Sequence, residues 1–181
     1  MSEYHDMDQI DETLWLGNLS SACDIKSLKE KGIKKILSVF DGKVPIHKKE
    51  DGFIQLSFKI ADHYTFNIVQ FFGECLNFIK GEEKILVHCL AGASRSATIV
   101  IAYLMWNKKM KYEDAIKLVS DKRKGADPNI GFKEQLKIFE KLLIENGYNI
   151  DKINFKEIVW EPKEIISPFQ SKLDYIKKLF G

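Results

Sequence analysis

The sequence predicts an α/β domain, with a mixed, mostly parallel central sheet of about five strands flanked by helices. Three observations carry this reading. Short apolar runs alternate with longer stretches of helical periodicity. One run, "KILVHC" (84–89), follows a cluster of charges and is apolar through its middle, as expected of a strand buried on both faces. A length of 181 residues suits a single core with an appendage.

The elements follow in chain order. "TLWLGNL" (13–19) reads as a strand. Ser20 or Ser21 is placed to cap a helix over 22–31, which Gly32 ends. "KKILSVF" (34–40) and "FIQLSFK" (53–59) are two further strands. The segment between them, "DGKVPIHKKEDG", carries Asp-Gly twice and a proline and reads as loop. Over 65–80 the period becomes helical, with Ile68, Phe72, Cys75, Leu76 and Ile79 on one face. Beyond the central strand, "SATIVIAYLMWN" is apolar nearly all round and reads as a helix buried on most sides. "KYEDAIKLVSDKRK" and "GFKEQLKIFEKLLIEN" read as amphipathic helices, the second ending near Gly147. Residues 1–148 form the expected domain. Residues 149–181 contain Pro162, Pro168, a short strand in "FKEIVW" and a short helix in "SKLDYIKKLF". They are expected to be an extension docked on the domain or on a partner, being too few to enclose their own core.

Composition narrows the function. With 45% hydrophobic and 30% charged residues the chain is expected to fold. A formal charge of only +2 argues against nucleic acid as a partner. No apolar run approaches the ~20 residues a membrane helix needs. The acidic N-terminus lacks a signal-peptide core, Ser2 stands where myristoylation needs glycine, and the chain end has no prenylation cysteine. A cytoplasmic or nuclear protein without a membrane anchor is expected. Cys23, Cys75 and Cys89 are too few for a disulfide framework, and none lies at zinc-ligand spacing. No metal and no cofactor are expected. Cys23 and Cys75 read as ordinary buried apolar residues.

Cys89 stands apart. In "LVHCLAGASRS" (86–96) a strand leads to a cysteine, then to five mostly small residues, then to an arginine at the start of a helix. The carboxyl end of a parallel strand is a usual ligand position, and a helix N-terminus offers unpaired N–H groups to an anion. Leu90, Ala91, Gly92, Ala93 and Ser94 let the backbone curl so that successive N–H groups point inward, with Gly92 best able to take positive φ. Those N–H groups and Arg95 favour a thiolate at Cys89. Arg95 presents a planar fork matched to two phosphate oxygens. Hydrolysis then runs in two steps, sulfur attacking phosphorus and water cleaving the thiophosphate. Asp62, on the loop after the "FIQLSFK" strand, is the candidate general acid. Asp41 and Asp51 are weaker candidates because they lie in a more distant loop.

"HCLAGASRS" matches the HCxxxxxR(S/T) loop of the cysteine-dependent protein phosphatases. The wider segments "ADHYTFNIVQFFGECLNFIKGEEKILVHCLAGASRSATIVIAYLM" and "DPNIGFKEQLKIFE" resemble the dual-specificity branch, over roughly residues 9–148. The resemblance implies a mixed, mostly parallel sheet, a metal-free reaction, and activity on phosphotyrosine together with phosphoserine or phosphothreonine. It implies that Asp62, in the matching "xDHxxxN" segment, is the general acid. It implies that Ser96 hydrogen-bonds the Cys89 sulfur and helps it leave, and that His88 orders the loop from behind. Strand alternation also points His88 away from the side of Cys89.

The absence of lysine in residues 90–94 favours a phosphorylated protein over an inositol lipid. A protein kinase is one candidate partner. A dimer through residues 149–181 is the oligomer to test. Two alternatives stay open here: a catalytically weak phosphoprotein-binding module, and a phosphatase for phosphoinositides or RNA 5′ phosphates.

Overall fold

In the computed structural model, which describes residues 6–162, five strands run Met7–Gln9 (β1), Leu14–Gly17 (β2), Lys35–Val39 (β3), Ile54–Phe58 (β4) and Ile85–His88 (β5). Their spatial order is β1-β2-β5-β3-β4. Only β1 and β2 pair antiparallel; the other three pairings are parallel. The sheet is therefore mixed and mostly parallel, with β5 at its centre. Every residue of β3 and β5 is buried, which is why these strands read as near-continuous apolar runs.

Six helices cover the sheet: Leu19–Cys23 (α1), Ile25–Glu30 (α2), Phe72–Ile79 (α3), Arg95–Asn107 (α4), Tyr112–Lys122 (α5) and Ile130–Glu145 (α6). Strand alternation divides the apolar side chains between two faces. Ile36 and Leu86 pack with Ala22 and Leu28 of α1 and α2. Leu37, Val39, Ile85 and Val87 join the larger core made with α3 to α6. Helix α4 crosses that core and is buried from Arg95 through Met105, as its apolar sequence requires.

Four local expectations change. The helix expected over 22–31 is two short helices, because Asp24 leaves helical geometry to accept the Ser27 N–H (3.0 Å). The first of them is capped by Asn18, which accepts the Ser21 N–H (2.9 Å); neither serine is the cap. The helix expected from residue 65 starts at Phe72, preceded by a 3₁₀ turn at Val69–Phe71. Gln135 of α6 supplies the missing backbone partners, accepting the Val69 N–H and donating to the Phe66 carbonyl. Strand β1 escapes sequence reading because it is three residues long and only Met7 is buried. "FKEIVW" forms no strand. It contains a 3₁₀ turn at Phe155–Glu157 that plugs Phe155 against Phe139 and Gly73. The helix expected in "SKLDYIKKLF" lies outside the described residues.

Candidate active site

The site forms where β5 ends and α4 begins. Cys89 directly follows β5 on the side of Ile85 and Val87, and is only 1% exposed. Its Sγ accepts the Gly92 N–H (3.2 Å) and the Ser96 hydroxyl (3.1 Å). Two donors aimed at one sulfur suit a sulfur that carries negative charge. Gly92 has φ +69°, and a Cβ there would stand 2.5 Å from the Gly17 carbonyl oxygen and 2.7 Å from the Arg123 guanidinium. Both the backbone angle and the space exclude any other residue.

The carbonyls of residues 90–93 are tied to the outside of the turn. Leu90 O accepts the Leu19 N–H (3.1 Å), and Ala93 O accepts the Asp127 N–H (2.9 Å). Arg123 donates from Nε to Gly92 O (2.8 Å) and from a terminal nitrogen to Ala91 O (3.2 Å). Asp8 holds Arg123 in turn (2.7 Å). With the carbonyls fixed outside, the peptide planes turn their N–H groups toward the interior, and that of Gly92 already points at sulfur.

Arg95 is the first residue of α4 and is 6% exposed. Its NH1 donates to Asp41 Oδ1 (2.8 Å) and to the Ile60 carbonyl (3.2 Å). Its Nε is buried, stands 3.6 Å from Asp62 Oδ2 and makes no hydrogen bond among the described residues. One edge of the guanidinium is thus pinned and the other offers a donor without an acceptor, which fits an oxyanion.

Asp62 reaches the site from the loop after β4. Its Oδ1 accepts Ser94 Oγ–H (2.7 Å) and Asn129 Nδ2–H (2.9 Å). Asp62 caps no helix, since α3 starts ten residues later, at Phe72. The Ser94 hydroxyl serves this carboxylate and also accepts the Asn129 N–H (3.1 Å). Leu90 and Ala91 form the exposed lip of the turn.

His88 lies behind the nucleophile. Its Nδ1–H donates to the Cys89 carbonyl (3.2 Å), which leaves Nε2 to accept the Ser38 hydroxyl (2.6 Å). Ser38 and His88 are direct partners in the β3–β5 register. Burial drives the imidazole down to about 4, so the ring is neutral at pH 7 and braces the base of the turn. Cys23 is exposed, contrary to expectation, because α1 ends there. Cys75 is buried on α3 as expected, and burial pushes its thiol far up, which keeps it protonated and unreactive.

Four contributors were not singled out from sequence: Ser38, Arg123 and Asn129, together with Asp41, which was weighed only as an acid. Asp41 follows the carboxyl end of β3, a position that favours ligand chemistry. Asn129 carries a helix-cap signal, and it does cap α6. No local signal marks Ser38 or Arg123.

A parallel-sheet fold with a cysteine-to-arginine turn between the central strand and a buried helix defines a cysteine-dependent phosphatase domain. The chain belongs to the dual specificity phosphatase family: the family model described as "Dual specificity phosphatase, catalytic domain" matches residues 14–142. It is 40% identical over 140 residues to dual specificity protein phosphatase 22 of Homo sapiens, covering 75% of this chain and 74% of that protein. It is 38% identical over 135 residues to dual specificity protein phosphatase Mpk3 of Drosophila melanogaster, covering 72% of this chain but 33% of that protein. The chain thus spans only about a third of the length of Mpk3. Among solved structures, the human tyrosine phosphatase-like serine/threonine/tyrosine-interacting protein superposes with a TM-score of 0.71 at 36% identity, covering 76% of this chain and 97% of that one.

Proposed function

We propose that the protein hydrolyses phosphotyrosine and phosphoserine or phosphothreonine in phosphorylated proteins, through a cysteinyl-phosphate intermediate. The observation that carries this reading is the Cys89 sulfur receiving both the Gly92 N–H and the Ser96 hydroxyl, beside an Arg95 edge that lacks an acceptor.

In the first step the N–H groups of residues 90–94 and the Arg95 Nε edge hold the three non-bridging phosphate oxygens. Sulfur attacks phosphorus in line, the S–P bond forms and the P–O bond to the substrate breaks. Asp62 gives its proton to the departing oxygen. Asp62 Oδ1 is occupied by Ser94 and Asn129, so Oδ2 is the oxygen that carries the proton. In the second step Asp62 takes a proton from water as the water oxygen attacks phosphorus. The electron pair of the S–P bond returns to sulfur, where the Ser96 hydroxyl steadies it.

Substrates are phosphorylated proteins. The cytoplasm or nucleus, which keeps thiols reduced, is the working compartment that fits three free cysteines. The binding-module alternative loses ground because nucleophile, arginine, acid and hydroxyl converge in one site. The phosphoinositide and RNA alternatives gain no support from a loop whose residues 90–94 carry no cation. Turnover of an aryl phosphate in the presence of a chelator, abolished by Cys89→Ser, tests the chemistry. Release of phosphate from both phosphotyrosyl and phosphothreonyl peptides tests the substrate range. Cleavage of phosphotyrosyl peptides alone contradicts the dual range, and retained turnover in Cys89→Ser contradicts the nucleophile.

A further inference from the structure

The loop that carries Asp62, residues 59–68, has no helix or strand of its own. Its position comes from two neighbours. On one side stands the start of α6, where Asn129 binds the Asp62 carboxylate and the Tyr64 carbonyl lies so close to Gly131 that a Cβ there would collide with it. On the other side stands the chain after α6. Trp160 Nε1–H donates to the Tyr64 carbonyl (2.9 Å), and Asn67 Nδ2–H donates to the Ile158 carbonyl (2.6 Å). These contacts fall two and five residues beyond Asp62. The far end of the strap is anchored by Phe155, buried against Phe139 at a ring separation of 5.9 Å, and by buried Ile150. The family match stops at residue 142, so none of these strap residues lies within the catalytic-domain pattern.

We propose that residues 158–160 latch the acid loop, and that Trp160 is a positioning residue for Asp62. The inference rests on the reading of Asp62 as general acid. A loop with no regular structure must be held from both flanks if one carboxyl oxygen is to meet a leaving group within hydrogen-bond reach. Asn129 and Ser94 fix the carboxylate itself; the strap fixes the backbone that carries it. Losing the latch lets the loop sample positions in which the proton is out of reach. The cysteine, the turn and Arg95 stay in place, because none of them touches the strap.

The test uses the full chain and two substrates. A phosphothreonyl peptide has a poor leaving group and needs the acid, whereas a fluorinated aryl phosphate leaves readily without it. Trp160→Phe removes the Nε1 donor and keeps a ring in place. The expected result is a kcat on the peptide lower by about five-fold, with aryl phosphate turnover and both KM values unchanged. In an Asp62→Asn background the same substitution has no further effect. Asn67→Ala, which breaks the other contact, reproduces the selective loss and decides the matter if Trp160→Phe does not fold. Equal losses on both substrates, a wild-type kcat on the peptide, or a loss that persists beside Asp62→Asn overturns the latch. Asp62→Asn alone, measured on the same pair, reports separately on the acid: if it does not discriminate between them, it is the acid assignment that fails.

Discussion

Acidification from pH 7 to pH 4.5 is expected to weaken the fold through one residue, His88. The ring is wholly buried between β3 and the base of the phosphate-binding turn, and it is neutral, with its two nitrogens committed to the Cys89 carbonyl and the Ser38 hydroxyl. An ordinary imidazole takes a proton near 6.5; burial lowers this one to about 4. Between those values the unfolded chain binds a proton that the folded chain refuses. The contribution of His88 is therefore complete above pH 6.5, is lost as the pH falls, and levels off below about pH 4. At about 1.4 kcal/mol per pH unit, the whole span amounts to about 3 kcal/mol, most of it lost by pH 4.5. Against a total of ~5–15 kcal/mol for an ordinary domain, that is a large fraction. Urea unfolding at a series of pH values, for the wild type and His88→Asn, measures it. The wild type should lose about 2–3 kcal/mol more than the variant over this interval. Parallel losses would refute the neutral, doubly bonded histidine.

Further outcomes follow from the geometry. Gly92→Ala meets the Gly17 carbonyl and the Arg123 guanidinium and forces alanine to φ +69°, so it should cost about 1–3 kcal/mol in thermal unfolding and remove most turnover. Asp41→Asn weakens the charge-assisted bond that orients Arg95. Because the Asp41 side chain is 61% exposed, the loss is modest, about ten-fold in kcat/KM, read as weaker competitive inhibition by inorganic phosphate. Asp62→Asn should lower kcat on a phosphothreonyl peptide by about 10²-fold or more and leave phosphate affinity intact, as checked by turnover and by inhibition on the same preparation.

The contiguous part of the site was legible because its parts share one local frame. Cys89, Gly92, Arg95 and Ser96 sit on a single strand–turn–helix unit, so spacing alone places sulfur, amides and guanidinium together. Asp62 was legible from its place after β4 and from the family resemblance. The residues that hold these groups were harder to see. Ser38 meets His88, and Asp41 meets Arg95, only once β3 has paired with β5. Their partners lie about fifty residues away, and a serine or aspartate near a strand end has many other uses. Arg123 reads as one cation in the basic run "DKRK", yet it is buried and carries the outer carbonyls of the turn. The break at Asp24 and the late start of α3 show a related limit. In both places side chains take over backbone hydrogen bonds, Asp24 locally and Gln135 from a distant helix, and hydrophobic periodicity is blind to that substitution. The strap after α6 was visible as an apolar, proline-containing appendage. That it reaches back to the acid loop depends on two hydrogen bonds spanning more than ninety residues.

The most direct measurement is to quench the enzyme in acid within milliseconds of mixing it with a phosphopeptide, then locate bound phosphate by mass spectrometry of the digested protein. Phosphate should be found on Cys89, absent in Cys89→Ser, and accumulated to a higher level in Ser96→Ala, where departure of the sulfur is slowed. Full turnover with no phosphate ever bound to that sulfur, or with phosphate on another side chain, would contradict the account.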